Sequence, residues 1–276
     1  MSTAARVGRD GALRLCFERR GAATVLAGCR CTLPLQVLAP VALADAAAVV
    51  SMLNPTGGVL GGDRLTVEVE VGPGAHACLT TPSATRVYRS PGEPAVQRVH
   101  LALGPGAVVE WVPDHVIPSA GAALRQSLEV EAGAGATLIA IDAFAAGRVV
   151  RGEAWQFSLL DSALTVRDAA GLVLHDRFAL AGGGPWRDLG FAEGRPYFGT
   201  VVLVAEDGLD ELVADLPGAL AATDGFAAAA ARLSRRGVLV RCLAEGAPGL
   251  TEGLQAVWAL ARRLLLGRPP LALRKL

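Results

Sequence analysis

Lysine is almost missing from this chain of 276 residues: among 26 basic residues only Lys275 is a lysine, and the rest are arginine. That scarcity excludes a P-loop, whose lysine must reach the phosphates beside a Ser or Thr that holds magnesium. The one loop that invites the comparison is "NPTGGVLGGDRL", Asn54 to Leu65, and it has Asp63 and Arg64 where the Lys-Ser/Thr pair would stand. Nor do Gly57, Gly58, Gly61 and Gly62 match the G-x-G-x-x-G spacing of a dinucleotide site.

An excess of either charge is also missing. Basic and acidic residues balance at +0 with a pI near 6.9, so nucleic acid and anionic membranes find no electrostatic handle. Five cysteines are too few for a disulfide framework in a chain of this size. Cys29 and Cys31 would share one strand face, but two sulfurs do not complete a metal site, and two small buried cysteines are the expected reading. There is no uninterrupted apolar run: the window from Leu33 to Leu53 is broken by Pro34, Gln36, Pro40 and Asp45, which fails the requirement for a spanning helix. The first residues, "MSTAARVGRDGALRL", lack the apolar core of a secretory signal, so a cytoplasmic setting is expected. G-x-S-x-G and H-E-x-x-H are absent, and His76, His100, His115 and His175 are scattered. Asp114 and His115 are neighbours, but adjacent residues on a strand face opposite sides unless a turn intervenes.

What is present is apolar: 52% of residues, with a mean hydropathy of +0.41. That implies a large core or a surface that a partner covers. The N-terminal two-thirds alternates as strands do, beginning with Leu13, Leu15 and Phe17 and a glycine turn at Arg20-Gly21 that signals a hairpin. A G-x-G-A turn then recurs at Gly72, Gly104 and Gly133, steps of 32 and 29 residues, each time between two strands. A period near 30 residues built on strand pairs predicts a mainly β, layered, β-helix-like body. Helices are expected only in the last third: Leu209 to Leu216 before Pro217, and Thr251 to Leu266, capped by Thr251 and closed by Gly267 and Pro269. The segment from Phe226 to Leu233 has no clear periodicity. One domain over 1–276 is expected, with a β-rich body at about 10–205 and an α/β portion at about 206–276.

Several acids interrupt apolar strands or sit at their ends: Asp63, Asp142 in "LIAIDAFAAGR", Glu153 and Asp176. A buried carboxylate is unfavourable unless it is paired, hydrogen-bonded or bound to a cation, so each is either an arginine partner or a cation ligand.

The block "GGVLGGDRLTVEVEVGPGAHACLTTPSATRVYRS", Gly57 to Ser90, resembles the signature segment of the urease accessory protein UreD family, called UreH in some organisms. The resemblance extends through "GAVVEWVPDHVI", "LIAIDAFAAGR", "RGEAW", "RPYFGTVVLV" and "VWALARRLLLGRPP", nearly the whole chain. It implies a non-enzymatic assembly factor that binds apo-urease and UreF, which recruits the GTPase UreG, with no tightly bound cofactor and with transient Ni2+. On that resemblance Asp63, Asp142, Glu153 and Asp176 are candidates to line a polar nickel path. Gly61, Gly62, Arg64, Tyr88, Arg89, Trp258 and Arg268 are signature or partner-interface positions. The chain departs from the family pattern at "DHVIPSAGA", where His115 enters and an aromatic is lost, at Asp176 in place of a common Glu, and in the tail "LALRKL". Two rivals follow from the residues alone: a β-solenoid enzyme acting on sugars through paired carboxylates about 5–10 Å apart, and a metal carrier using Cys29, Cys31 and His76.

Overall fold

The computed structural model describes residues 9–38, 40, 47–188 and 190–273. In chain order the first strands are β1 (Asp10–Arg20), β2 (Ala23–Thr32), β3 (Gln36–Val37), β4 (Ala48–Leu53), β5 (Arg64–Val71) and β6 (His76–Thr80). Then come β7 (Thr85–Val87), β8 (Ala95–Leu103), β9 (Val108–Val112), β10 (Val116–Pro118), β11 (Ala123–Ala132) and β12 (Thr137–Ala145). A 3-10 turn at Val149–Arg151 leads to β13 (Leu159–Asp168), β14 (Gly171–Ala181) and β15 (Tyr197–Val204). The last elements are α1 (Leu209–Leu220), β16 (Phe226–Arg232), β17 (Gly237–Ala244) and α2 (Ala247–Leu266).

These strands form a mainly β, solenoid-like sandwich. One sheet runs β14-β13-β11-β8-β5-β1-β2, and the other β16-β17-β15-β12-β9-β6-β4-β3 with β7 and β10 joined at its side. From β5 to β12 the chain alternates between the sheets, and neighbours of successive coils pair in parallel. The G-x-G-A turns therefore carry the chain across the sandwich; they do not fold a strand back on its neighbour. Their glycines divide the work. Gly74, Gly106 and Gly135 have φ of 63°, 63° and 65°, the left-handed conformation that favours glycine. Gly104 and Gly133 lie against the turn of the preceding coil, where an added Cβ would sit 2.9 Å from Pro73 N and 2.7 Å from the Leu103 carbonyl oxygen.

Stacked coils align like residues into ladders. Leu13, Val67, Val99, Leu128 and Leu164 are in register across five strands, and all are buried between the sheets. β12 and β15 are apolar on both faces because the outer face of their sheet is covered by α1 and α2. Both helices differ in detail from the sequence reading. α1 runs through Pro217, and α2 begins at Ala247, four residues before Thr251, with Pro248 in the first turn where a missing N–H is harmless. The alanine-rich segment forms β16, an edge strand paired to β17.

Candidate functional site

Within the apolar sandwich one register is polar. Gln97, Gln126 and Ser162 lie side by side on β8, β11 and β13. Across from them on the inner face of the other sheet stand Asp142, Thr200 and Arg241, aligned on β12, β15 and β17. Asp142 joins the two sheets: Gln126 Nε2 donates to its Oδ1 at 2.8 Å, and Ser162 Oγ to its Oδ2 at 2.8 Å. Burial pushes the Asp142 carboxyl up to about 6, with the nearby Asp176 adding to the rise and the two hydrogen bonds opposing it. Arg241 continues the row, donating to Thr200 Oγ1 at 2.8 Å and to Asp176 Oδ1 at 2.5 Å. Asp142 and Asp176 thus belong to one cluster, as a pair of acids separated by an arginine and hydroxyl groups.

A cavity of about 100 Å³ opens beside this cluster, lined by Asp142, Gln126 and Gln97 and, farther along, by Thr81, Asp114 and Asn54. On the far side lies an aromatic crevice of about 550 Å³ with Phe144, Phe178, Phe198, Thr200 and Arg241 in its wall. A polar group with water-like hydrogen-bonding capacity is therefore available along the interior, where the flanking ladders are aliphatic.

The other acids named from the sequence have different settings. Asp63 is 3% exposed, and its two oxygens accept the backbone N–H groups of Arg9 at 2.8 Å and Leu60 at 2.9 Å. It fastens the glycine loop and does not line the cavity, although Asn54, Val59 and Leu65 of the same stretch do. Arg64 is exposed at the start of β5. Glu153 accepts two hydrogen bonds from Arg148, at 2.7 and 2.5 Å, and the Ala120 N–H at 3.1 Å; the bond from Arg148 leads the causes that lower its pKa.

The signature block has a physical unity. Val59 bridges Val87, the Val59 N–H donates to the Arg86 carbonyl, and the Tyr88 hydroxyl donates to the Gly57 carbonyl at 3.1 Å. An added Cβ on Gly58 would lie 2.6 Å from the Arg86 oxygen, and one on Gly61 would lie 2.8 Å from Ser90. Gly62 adopts φ of 83°. Glycines and "RVYRS" recur together because one strand of backbone lies on the other, with Arg89 exposed alongside.

Trp258 is only 5% exposed, its indole N–H donating to Glu110 Oε2 at 2.6 Å. Glu110, fully buried, also binds His76 Nε2 at 2.7 Å and the guanidinium of Arg262, whose Nε donates to the Pro269 carbonyl at 2.9 Å. This cluster ties α2 to β9 and β6. His76 is thus engaged with Glu110, while Cys29 and Cys31 on β2 are exposed. Arg268 is exposed beside a groove between α1 and α2. Among the described residues no three His, Cys, Asp or Glu side chains converge as a metal site, and no helix is long and apolar enough to cross a membrane.

Sequence reasoning missed Gln126, Ser162, Thr200, Arg241, Glu110 and Arg262. A signal for the first was available: in "RQSLEVEA" Gln126 shares its face with Leu128 and Val130, so a polar residue takes a core position.

Comparison with known proteins finds relatives over nearly the whole chain. The family described as UreD urease accessory protein matches residues 9–275. The urease accessory protein UreD of Alkalilimnicola ehrlichii is 36% identical over 264 residues, covering 95% of this chain and 89% of that protein. The UreD of Deinococcus radiodurans is 35% identical, covering 97% and 95%, and that of Klebsiella aerogenes 32% identical, covering 95% and 94%. With so much of both chains covered at such identity, this chain belongs to the UreD family of urease accessory proteins.

Proposed function

We propose that this protein is a non-enzymatic scaffold of urease maturation that binds apo-urease and UreF, works with the GTPase UreG through UreF, and passes Ni2+ through its own interior. The observation that carries the reading is the Asp142 cluster: a carboxylate bonded to neutral Gln126 and Ser162, beside a cavity, in an otherwise apolar sandwich. A structural acid in a core is ordinarily neutralised by a basic partner, as Glu110 is by Arg262. Asp142 takes its hydrogen bonds from neutral side chains, which leaves its charge for a cation.

Oxygen donors hold a borderline divalent ion loosely, and a conduit requires release as much as capture. Asp142 is the acid we assign to the path; Asp176, beside it in the cluster, is paired with Arg241. Asp63 and Glu153, satisfied by backbone N–H groups and by Arg148, hold the walls around it. No nucleotide site is required of this chain, since hydrolysis lies with the partner GTPase. The test is co-expression with the urease subunits and the other accessory proteins, followed by metal analysis of purified urease. Asp142→Ala should leave the accessory complex intact and lower urease nickel; undiminished nickel in an intact complex would count against the conduit.

A further inference from the structure

The ten-stranded sheet is interrupted beside Asp142. β9 pairs with β12 as far as Trp111 and Ala140, and pairing to β12 resumes only where β10 meets it at Val116 and Phe144. Residues 112–115 on one side and 141–143 on the other, four against three, are not paired to each other, although 141–143 keep their pairing to β15. On the opposite flank β6 leaves β9 at Thr80 and Val112, and β7 joins β10 at Thr85 and Val116. Pro113 sits in the gap, unable to donate a ladder hydrogen bond.

Two spaces meet there. The inner cavity that contains Asp142 reaches Pro113 and Asp114. On the outer face a crevice of about 230 Å³ lies between the same segment and α2, lined by Pro113, Asp114, His115, Thr251, Gln255 and Trp258 among others. Pro113 and Asp114 therefore border both. The backbone here is pinned: the Asp114 N–H donates to Thr81 Oγ1 at 2.9 Å, and the His115 carbonyl accepts the Thr85 N–H at 3.0 Å. Both residues are consequently held at the opening, in the wall of the crevice.

We propose that this gap is a mouth of the interior path, and that Asp114 and His115 form a carboxylate–imidazole waypoint for Ni2+ passing between the cavity and the crevice beneath α2. The inference rests on the reading of Asp142 as a cation carrier. Imidazole nitrogen with carboxylate oxygen suits a borderline divalent ion. Two protein donors leave most of the coordination sphere to water, so the ion is held weakly enough to move on. Among the described residues no arginine or lysine lines this crevice, whereas Arg177 and Arg241 border the aromatic crevice at the other end of the cluster.

The test uses the full chain labelled with 15N-histidine, whose four imidazoles report separately as Ni2+, a paramagnetic probe in octahedral sites, is added. His115 should broaden first, ahead of His76, His100 and His175. Asp114→Asn should weaken that response by roughly tenfold or more, and Asp114→Glu, which keeps the carboxylate, should restore most of it. The proposal is overturned if His115 stays sharp until the other imidazoles respond, or if Asp114→Asn changes nothing. In the co-expression assay, Asp114→Asn and His115→Gln should lower urease nickel as Asp142→Asn does. If only Asp142→Asn lowers it, the path stands and this mouth is refuted; if none does, both fall.

Discussion

Asp142 shares its inner face with Leu138, Ala140 and Phe144, so its carboxylate is held in surroundings that favour the protonated form. With the folded pKa raised to about 6 from 3.8, the folded state binds more protons than the unfolded chain between those values. Stability should therefore fall as pH rises from about 4 to about 6 and then level, a loss of at most about 3 kcal/mol. Asp142→Asn keeps the shape and the contact with Ser162 while removing the charge. Its denaturation midpoint should lack that slope and equal or exceed the parent's at pH 7. Chemical denaturation at a series of pH values decides the point, and a parallel slope in both proteins would show that Asp142 is not the titrating group. A substitution that stabilises while impairing nickel delivery is the behaviour of a residue retained for function.

At the scale of elements, two devices hold the layers together. The turn glycines are of two kinds, and the difference is measurable. Gly135→Ala meets a left-handed φ with its nearest neighbour, Gly106 N, at an ordinary 4.0 Å and should cost about 1–2 kcal/mol. Gly133→Ala forces a Cβ against the backbone of the preceding coil and should cost more, with a lower thermal midpoint than Gly135→Ala; equal midpoints would mean that the coils separate easily. The second device is the buried Glu110–Arg262 pair with His76 and Trp258. Arg262→Ala strands a carboxylate under α2 and should destabilise by about 3–5 kcal/mol. Limited proteolysis should then cut within α2 in the variant and spare it in the parent protein. Resistance unchanged in the variant would show that apolar packing of α2 suffices.

Across the whole molecule, protection from exchange should follow position in the sheets. β8 and β11 have strand partners on both sides, whereas β2, β14 and β16 are edges. Amide hydrogen exchange followed by mass spectrometry should find β8 and β11 slowest and these edges fastest. An equally slow β2 would reveal a partner on that edge. Much of this layout was legible in advance. The 32- and 29-residue spacing of the G-x-G-A turns announced stacked coils, and the alternation in β5 announced which residues point inward. β16 was not legible, because a run of alanines has neither a strong strand preference nor an amphipathic period and takes its form from β17. Pro217 looked like a stop, yet α1 accommodates it in its closing turns.

The candidate site divides along the same line. The sequence by itself determined the family signature, the coil period and the oddity of an acid at Asp142 within an apolar run. It also placed Asp63 beside its glycines, since the turn and the Leu60 N–H that the carboxylate accepts are local in the chain, whereas the Arg9 N–H reaches it from 54 residues away. Only the tertiary structure decided what each acid faces. Gln126, Ser162, Thr200 and Arg241 meet Asp142 and Asp176 because strand pairing and the facing of the two sheets bring residues 16 to 65 positions apart into hydrogen-bonding distance. Glu110 found Arg262 across 152 residues. Charge compensation over such separations depends on register and layer, and no local pattern of residues encodes those.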